Sequence, residues 1–269
     1  MVEWSKALFL GIVEGLTEFL PISSTGHLLV AANIVRFSQT ADGTFAIVIQ
    51  LGAWLAVLGY YARDLLEHAR ALPSDTAIRR FWFGVAAASV PAGAVGFVLH
   101  GWIKQVLYES PTLIASTLIV GGIIFLVVER LPRRPAKTKQ VTEISLRQAL
   151  GIGVAQICAL VPGVSRSGAT IIGGLLVGLD RPTATRFTFY LALPTLGAAT
   201  LFDLADNFGN LTPSNLAALA LGTLAALVVA WLSIGWLLRY VAHNTFVVFG
   251  YYRIAAGVII LALVQIGLI

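Results

Sequence analysis

Six apolar runs, at residues 43–62, 81–99, 112–128, 186–205, 215–238 and 246–267, dominate the chain. A helix of about 20 such residues spans the ~30 Å hydrocarbon core of a bilayer. Only 12% of the 269 residues are charged and 58% are hydrophobic, against roughly a quarter charged in soluble domains. Backbone polar groups in hydrocarbon must be satisfied internally, which helices do within one segment. These runs predict an all-α, polytopic membrane protein with six transmembrane helices.

Loop charge gives an orientation. Loop 62–80 carries Arg63, Arg70, Arg79 and Arg80; loop 129–147 carries Arg130, Arg133, Arg134, Lys137, Lys139 and Arg147; loop 239–245 carries Arg239 and His243. Loop 100–111 has only Lys104, and 202–214 has no Lys or Arg. The basic loops belong on the cytoplasmic side, and the six crossings alternate in agreement. Glu14 and Glu18 in the N-terminal apolar stretch, with no basic residue before them beyond Lys6, argue against a cleaved signal peptide. The single Cys158 allows no internal disulfide and reads as a small buried apolar residue. Gln50 lines a cavity or faces a neighbouring helix, and His68, His100 and His243 read as solvated. The Gly/Ala-rich stretches near 87–96, 195–199 and 216–226 suit close helix packing.

Residues 1–40 and 148–182 behave differently. Each holds two short apolar stretches separated by a Pro/Gly/Ser-rich centre, and loop charge puts both ends of each on one side of the membrane. They are therefore expected to be two re-entrant helical hairpins, tolerated where irregular backbone is buried in protein or lines a cavity. An offset of 142 positions superposes them: Gly11 falls on Gly153, Glu14 on Gln156, Ser23 on Ser165, Thr25 on Ser167 and Gly26 on Gly168. The same register carries Phe45 onto Phe187. The expectation is one membrane domain, 1–269, made of an inverted-topology repeat at about 1–128 and 147–269. Sites in such folds lie at mid-membrane between the repeats.

The hairpin centres carry the chemistry. "LPISSTGH" and "VPGVSRSGAT" each place serines or threonines where a helix begins, so two helix N-termini converge if the hairpins meet. Ser23, Thr25, Ser165, Ser167 and Thr170, with Arg166 among them, form an expected phosphate site. These hydroxyls could equally serve as caps. Glu14 and Glu18, four residues apart, share a helix face and suit a divalent cation, Mg²⁺ or Ca²⁺. The plainer alternative is a protonated pair or an ion pair with Arg166. Ser24 and His27 stand three apart, a spacing that lets imidazole reach hydroxyl as base to nucleophile, with Glu18 orienting the ring.

These motifs resemble those of the undecaprenyl pyrophosphate phosphatase family, also known from bacitracin resistance. "EGLTEFLPISSTGH" matches its E-x-x-x-E and P-x-S-S-T-G-H signature, and "PGVSRSGAT" its P-G-x-S-R-S-x-x-T motif. The resemblance covers nearly the whole chain. It implies a phosphatase of the bacterial inner membrane that converts undecaprenyl diphosphate to the monophosphate, recycling the lipid carrier for peptidoglycan synthesis. It further implies metal-binding Glu14 and Glu18, catalytic Ser24, His27, Glu18 and Arg166, and a site open to the outer, periplasmic face. Membrane lipids are the expected surroundings, nucleic acid is no expected partner, and a homodimer is compatible. Whether Ser24 attacks, or water assisted by His27, stays open at this point. A secondary transporter or flippase would share inverted repeats and buried carboxylates but needs no nucleophile. The other large lipid-phosphatase superfamily wants a K-x6-R-P motif and a second histidine soon after its S-R. Here no histidine follows Arg166 before His243.

Overall fold

The computed structural model describes residues 3–37, 44–102, 110–131, 138, 140–206 and 216–269. Eleven α-helices account for most of them: α1 (Glu3–Thr17), α2 (Ser24–Val35), α3 (Thr44–Tyr60), α4 (Ala62–Ala71), α5 (Thr76–Trp102), α6 (Pro111–Arg130), α7 (Leu146–Ile157), α8 (Arg166–Leu176), α9 (Arg181–Asp206), α10 (Leu216–His243) and α11 (Val247–Gln265). The chain is an all-α, multi-pass membrane protein. Lys104, Arg133, Arg134, Lys137, Lys139 and most of the loop after Asp206 lie outside the described residues.

Five helices (α5, α6, α9, α10 and α11) are long and apolar enough to cross a bilayer. The expected sixth crossing, 43–62, differs. Its helix α3 ends at Tyr60, and the chain bends by 58° into α4. The expected loop 62–80 is thus mostly helix. α4, "ARDLLEHARA", alternates charged and apolar residues at helical spacing, which suits an interface better than a bilayer core. Phe97 is 80% exposed and Val98 78%, an arrangement that lipid rather than water makes favourable.

Local sequence sets the ends. Ser110 accepts from Leu113 N with Pro111 at the first turn of α6, while Ser145 and Gln148 form a reciprocal capping box on α7. The two arms of each expected hairpin are short. α1 has 15 residues and α2 has 12, so they reach only about 22 Å and 18 Å, less than a hydrocarbon core. α1 packs on α2, and α7 on α8, across a turn.

Helices recur at the offset read from the sequence: α2 begins at Ser24 and α8 at Arg166, 142 positions on. The packing partners exchange accordingly, with α1 lying along α10 while α7 lies along α5. Both contacts need a missing side chain at the same relative position. A Cβ on Gly11 would stand 2.2 Å from Gly222 O, and one on Gly153 would stand 2.3 Å from Ala88 O. Gly222, within the 216–226 stretch, in turn packs against Ile49 and Phe45. α3 packs on α9, where Gln50 accepts from Thr200 Oγ1 at 3.2 Å; it faces a neighbouring helix.

Three minor expectations are settled at the periphery. Cys158 is exposed rather than buried, because the one-turn 3₁₀ extension of α7 (Cys158–Leu160) carries it off the packed face. His68 is not simply solvated: its ring stacks on Tyr190 and meets Phe81 edge-on. His243 is exposed as expected, and the His100 side chain lies outside the described residues.

Candidate active site

The two hairpin turns meet, and the meeting point is Glu18. Its backbone N–H bonds Glu14 O at 2.9 Å, so the helical register of α1 runs one residue past Thr17 and keeps both glutamates on one face. The Glu18 carboxylate is divided between the hairpins. Oε2 accepts from Ser24 Oγ of its own hairpin at 2.5 Å, and Oε1 accepts from Arg166 Nη2 of the other at 2.8 Å. The side chains of Glu18 and Arg166 are only 7% and 16% exposed, so this ion pair is poorly screened.

Both rising helices begin from a residue in an unfavourable backbone conformation. Ser23 precedes α2 at φ 72°, ψ 101°, and Ser165 precedes α8 at φ 72°, ψ 119°. A side chain there costs on the order of 1–3 kcal/mol and persists only where the surroundings over-determine it. The result places Ser24 and Arg166 each as the first residue of a helix, where free N–H groups and the dipole favour an anion.

The expected phosphate-site hydroxyls divide by role. Ser165 Oγ accepts from Gly168 N at 3.1 Å, a true cap, and lies 3.0 Å from Ser167 Oγ. Ser167 donates to Leu20 O at 3.0 Å, sewing the second hairpin to the first. Thr170 turns back onto Arg166 O at 2.9 Å and accepts from Thr188 of α9, also at 2.9 Å. Ser23 is buried and does not cap with its side chain. Thr25 is half-buried beside Ser24. Of this set, Ser167 and Thr170 serve as buried ties between elements, while Thr25 and Arg166 keep some exposure.

His27 departs from the expected pairing. Its Nδ1 is 2.7 Å from Ser23 O, and since a carbonyl only accepts, Nδ1 carries the hydrogen. Nε2 then accepts from Tyr252 Oη at 2.7 Å, and the two rings stack at 5.5 Å with 7° between planes. The i, i+3 spacing places His27 one turn from Ser24 in α2, but the imidazole is held between Ser23 O and Tyr252 of α11, and the Ser24 hydroxyl goes to Glu18. The expected orientation of imidazole by Glu18 does not occur either.

Glu14 is buried, and neither of its carboxylate oxygens has a hydrogen-bond partner among the described residues. Gln156, its counterpart at the 142 offset, is also buried with an unpartnered Oε1. Among the described residues no cluster of three or more His, Cys, Asp and Glu side chains could by itself hold a metal. Two hard oxygens on Glu14, next to a second carboxylate, fit a cation whose remaining ligands come from a phosphate.

Arg253 and Tyr252, both on α11, complete the surroundings. Arg253 is fully buried and donates to Pro21 O at 3.1 Å and Gly163 O at 3.0 Å. The sequence offers one signal for it, a lone arginine in the apolar run 246–267, where an ionisable residue is a functional candidate by default. Nothing in the sequence marks Tyr252.

A hydroxyl bonded to a carboxylate, an arginine and two helix N-termini, all at the join of two helical hairpins in a membrane protein, form a site whose chemistry suits an anionic, phosphate-bearing group. The family model for bacitracin resistance protein BacA matches residues 7–259. An undecaprenyl-diphosphatase of Cereibacter sphaeroides is 47% identical over 261 residues, 97% of each chain. One from Methylococcus capsulatus is 45% identical over 267 residues, 99% of this chain and 97% of its own. Undecaprenyl-diphosphatase 1 of Burkholderia lata is 47% identical over 259 residues, 95% of this chain and 94% of its own. The chain belongs to the BacA family.

Proposed function

We propose that the protein is an undecaprenyl-diphosphate phosphatase, releasing inorganic phosphate and leaving the monophosphate carrier for cell-wall synthesis. Relatives bearing that name match along almost the full chain. One observation carries the mechanism: Glu18 bonds both the Ser24 hydroxyl and the Arg166 guanidinium. No transporter needs a hydroxyl held by a base beside an anion site, and a transporter or flippase is the weaker reading.

The diphosphate enters the join of the hairpins, where Arg166 and the N-termini of α2 and α8 balance its charge. Ser24 Oγ attacks the terminal phosphorus in line. The Oγ–P bond forms, the Oγ proton passes to Glu18 Oε2, and the bridging P–O bond breaks with its electron pair leaving on the lipid monophosphate. Water then attacks the phosphoserine and loses a proton to His27 Nε2, freed from Tyr252. The P–Oγ bond breaks, Ser24 recovers the proton held by Glu18, and His27 gives its proton to the water that replaces the departing phosphate. Glu14 and Glu18 would hold a Mg²⁺ or Ca²⁺ ion, which when bound supplies Lewis-acid neutralisation of phosphate oxygens.

Loop charge and membrane-buried hairpins support placement in the bacterial inner membrane, with the site reached from the periplasmic side. The exchange of packing partners between helices 142 positions apart supports two inverted halves related across the site. The test is phosphate release by purified protein from undecaprenyl or farnesyl diphosphate with Mg²⁺ or Ca²⁺. Activity unchanged by chelator and by Ser24→Ala would overturn the reading.

A further inference from the structure

Arg253 poses a question the reaction itself leaves unanswered. A guanidinium costs heavily to bury, yet this one sits fully enclosed in α11, and its hydrogen-bond partners among the described residues are all backbone carbonyls. Nη1 reaches Pro21 O, Nη2 reaches Gly163 O, and longer bonds of 3.4 Å run to Thr117 O and Leu118 O of α6. Pro21 and Gly163 are counterparts at the 142 offset, one in each hairpin turn. Each stands two residues before a strained serine, Ser23 or Ser165, and three before Ser24 or Arg166.

We infer that Arg253 is the positioning residue of the phosphatase site, one rigid fork that fixes the carbonyls of both turns and so holds Ser24 and Arg166 against Glu18. The geometry explains the backbone. Ser23 and Ser165 remain at φ 72° because something holds the chain just upstream of each, and a planar guanidinium bonded to both turns does so at once. It also explains a missing side chain on α6. A Cβ on Gly121 would lie 2.2 Å from Arg253 Nη2, so the glycine makes the space in which the fork sits. Arg253 contacts no expected phosphate ligand through its side chain. Its effect passes through the turns.

The inference rests on the phosphatase reading, and two variants separate their failures. Arg253→Lys keeps the charge but cannot span both carbonyls. Gly121→Ala keeps the arginine and displaces its head, the flexible end of a side chain, without adding bulk against backbone. Both are expected to lower kcat about 10- to 100-fold, as sub-ångström to ångström misplacement of reacting groups does, with KM within about threefold. Thermal stability in detergent falls in both variants as the bonds to the buried carbonyls are lost, so kcat is taken per folded molecule. The double variant is expected to be no slower than Arg253→Lys alone. Unchanged kcat in a folded Gly121→Ala protein, or losses that multiply in the double variant, would overturn the inference; should Arg253→Lys fail to fold, Gly121→Ala decides. A parent protein that releases no phosphate would instead remove the phosphatase reading.

Discussion

Glu18→Gln is the most discriminating single change. The amide keeps one oxygen acceptor and places an NH₂ where the other carboxylate oxygen was, so it can accept from Ser24 or from Arg166 but not from both. Two losses follow, and their sizes differ. The lost charge-assisted bond costs about 1.5–3 kcal/mol of stability, below the 3–5 kcal/mol of a fully buried pair because Arg166 retains a path to solvent. The lost proton acceptor costs about 10²- to 10⁴-fold in rate, or roughly 2.7–5.5 kcal/mol of barrier. The variant should therefore fold and bind but turn over slowly. The assay is steady-state phosphate release in detergent for Glu18→Gln, Ser24→Ala and the double variant. If Glu18 acts through Ser24, all three share one residual rate at saturating Mg²⁺ or Ca²⁺, since groups that act as a unit are non-additive. Rates that multiply in the double variant, or a Glu18→Gln protein within a few-fold of the parent, would refute the assignment of Glu18 as the base.

Three further outcomes follow from the same geometry. Tyr252→Phe removes the hydroxyl on His27 Nε2 but keeps the ring stack, and since Nε2 must leave Tyr252 to take a proton, kcat in phosphate release should hold or rise, by at most about 12-fold, the rate equivalent of one neutral hydrogen bond, whereas His27→Ala should lose activity. Glu14→Gln should raise the Mg²⁺ or Ca²⁺ concentration needed for half-activation at least about tenfold while thermal stability holds or rises, because a neutral amide replaces a buried carboxylate without partners; a metal titration of phosphate release reads this directly. Glu129→Gln should do the reverse. Its carboxylate takes both Arg181 Nε and Nη2 and also Phe246 N at the start of α11, so about 3 kcal/mol of stability should be lost with turnover per folded molecule unchanged, as thermal melts paired with activity would record.

Much of this was legible because bilayer physics leaves few choices. Apolar runs had to be helices, and broken runs bearing Glu14, Glu18 and Arg166 had to be protected and shared between hairpins. What escaped was direction. The i, i+3 spacing of Ser24 and His27 made a hydrogen bond between them reasonable, but spacing does not say which partner a ring takes. His27 Nδ1 bonds Ser23 O and Nε2 meets Tyr252, 225 positions away, a contact no local pattern encodes. Arg253 escaped for a different reason, since its partners are carbonyls, which every residue has. The bend after Tyr60 was missed because "LGYYARDLL" changes from apolar to amphipathic helix with no Pro and only Gly59, one of many glycines in apolar runs, beside it.

The two hairpins share a backbone and divide the chemistry. At positions 142 apart, Glu14 corresponds to Gln156, Glu18 to Leu160, Ser24 to Arg166 and His27 to Ala169. The first hairpin carries the acids, the hydroxyl and the imidazole; the second carries the cation. Each alone would hold an unbalanced charge in a low-dielectric interior, a carboxylate on one side and a guanidinium on the other. Docked, the carboxylate takes the guanidinium, and two helix N-termini point at one place. The burial cost of both charges thus falls when the halves close, which ties assembly of the fold to assembly of the site. A membrane offers little hydrophobic drive between helices. In this protein the Glu18–Arg166 ion pair and the carbonyl-bound Arg253 supply part of the specific attraction that the solvent does not.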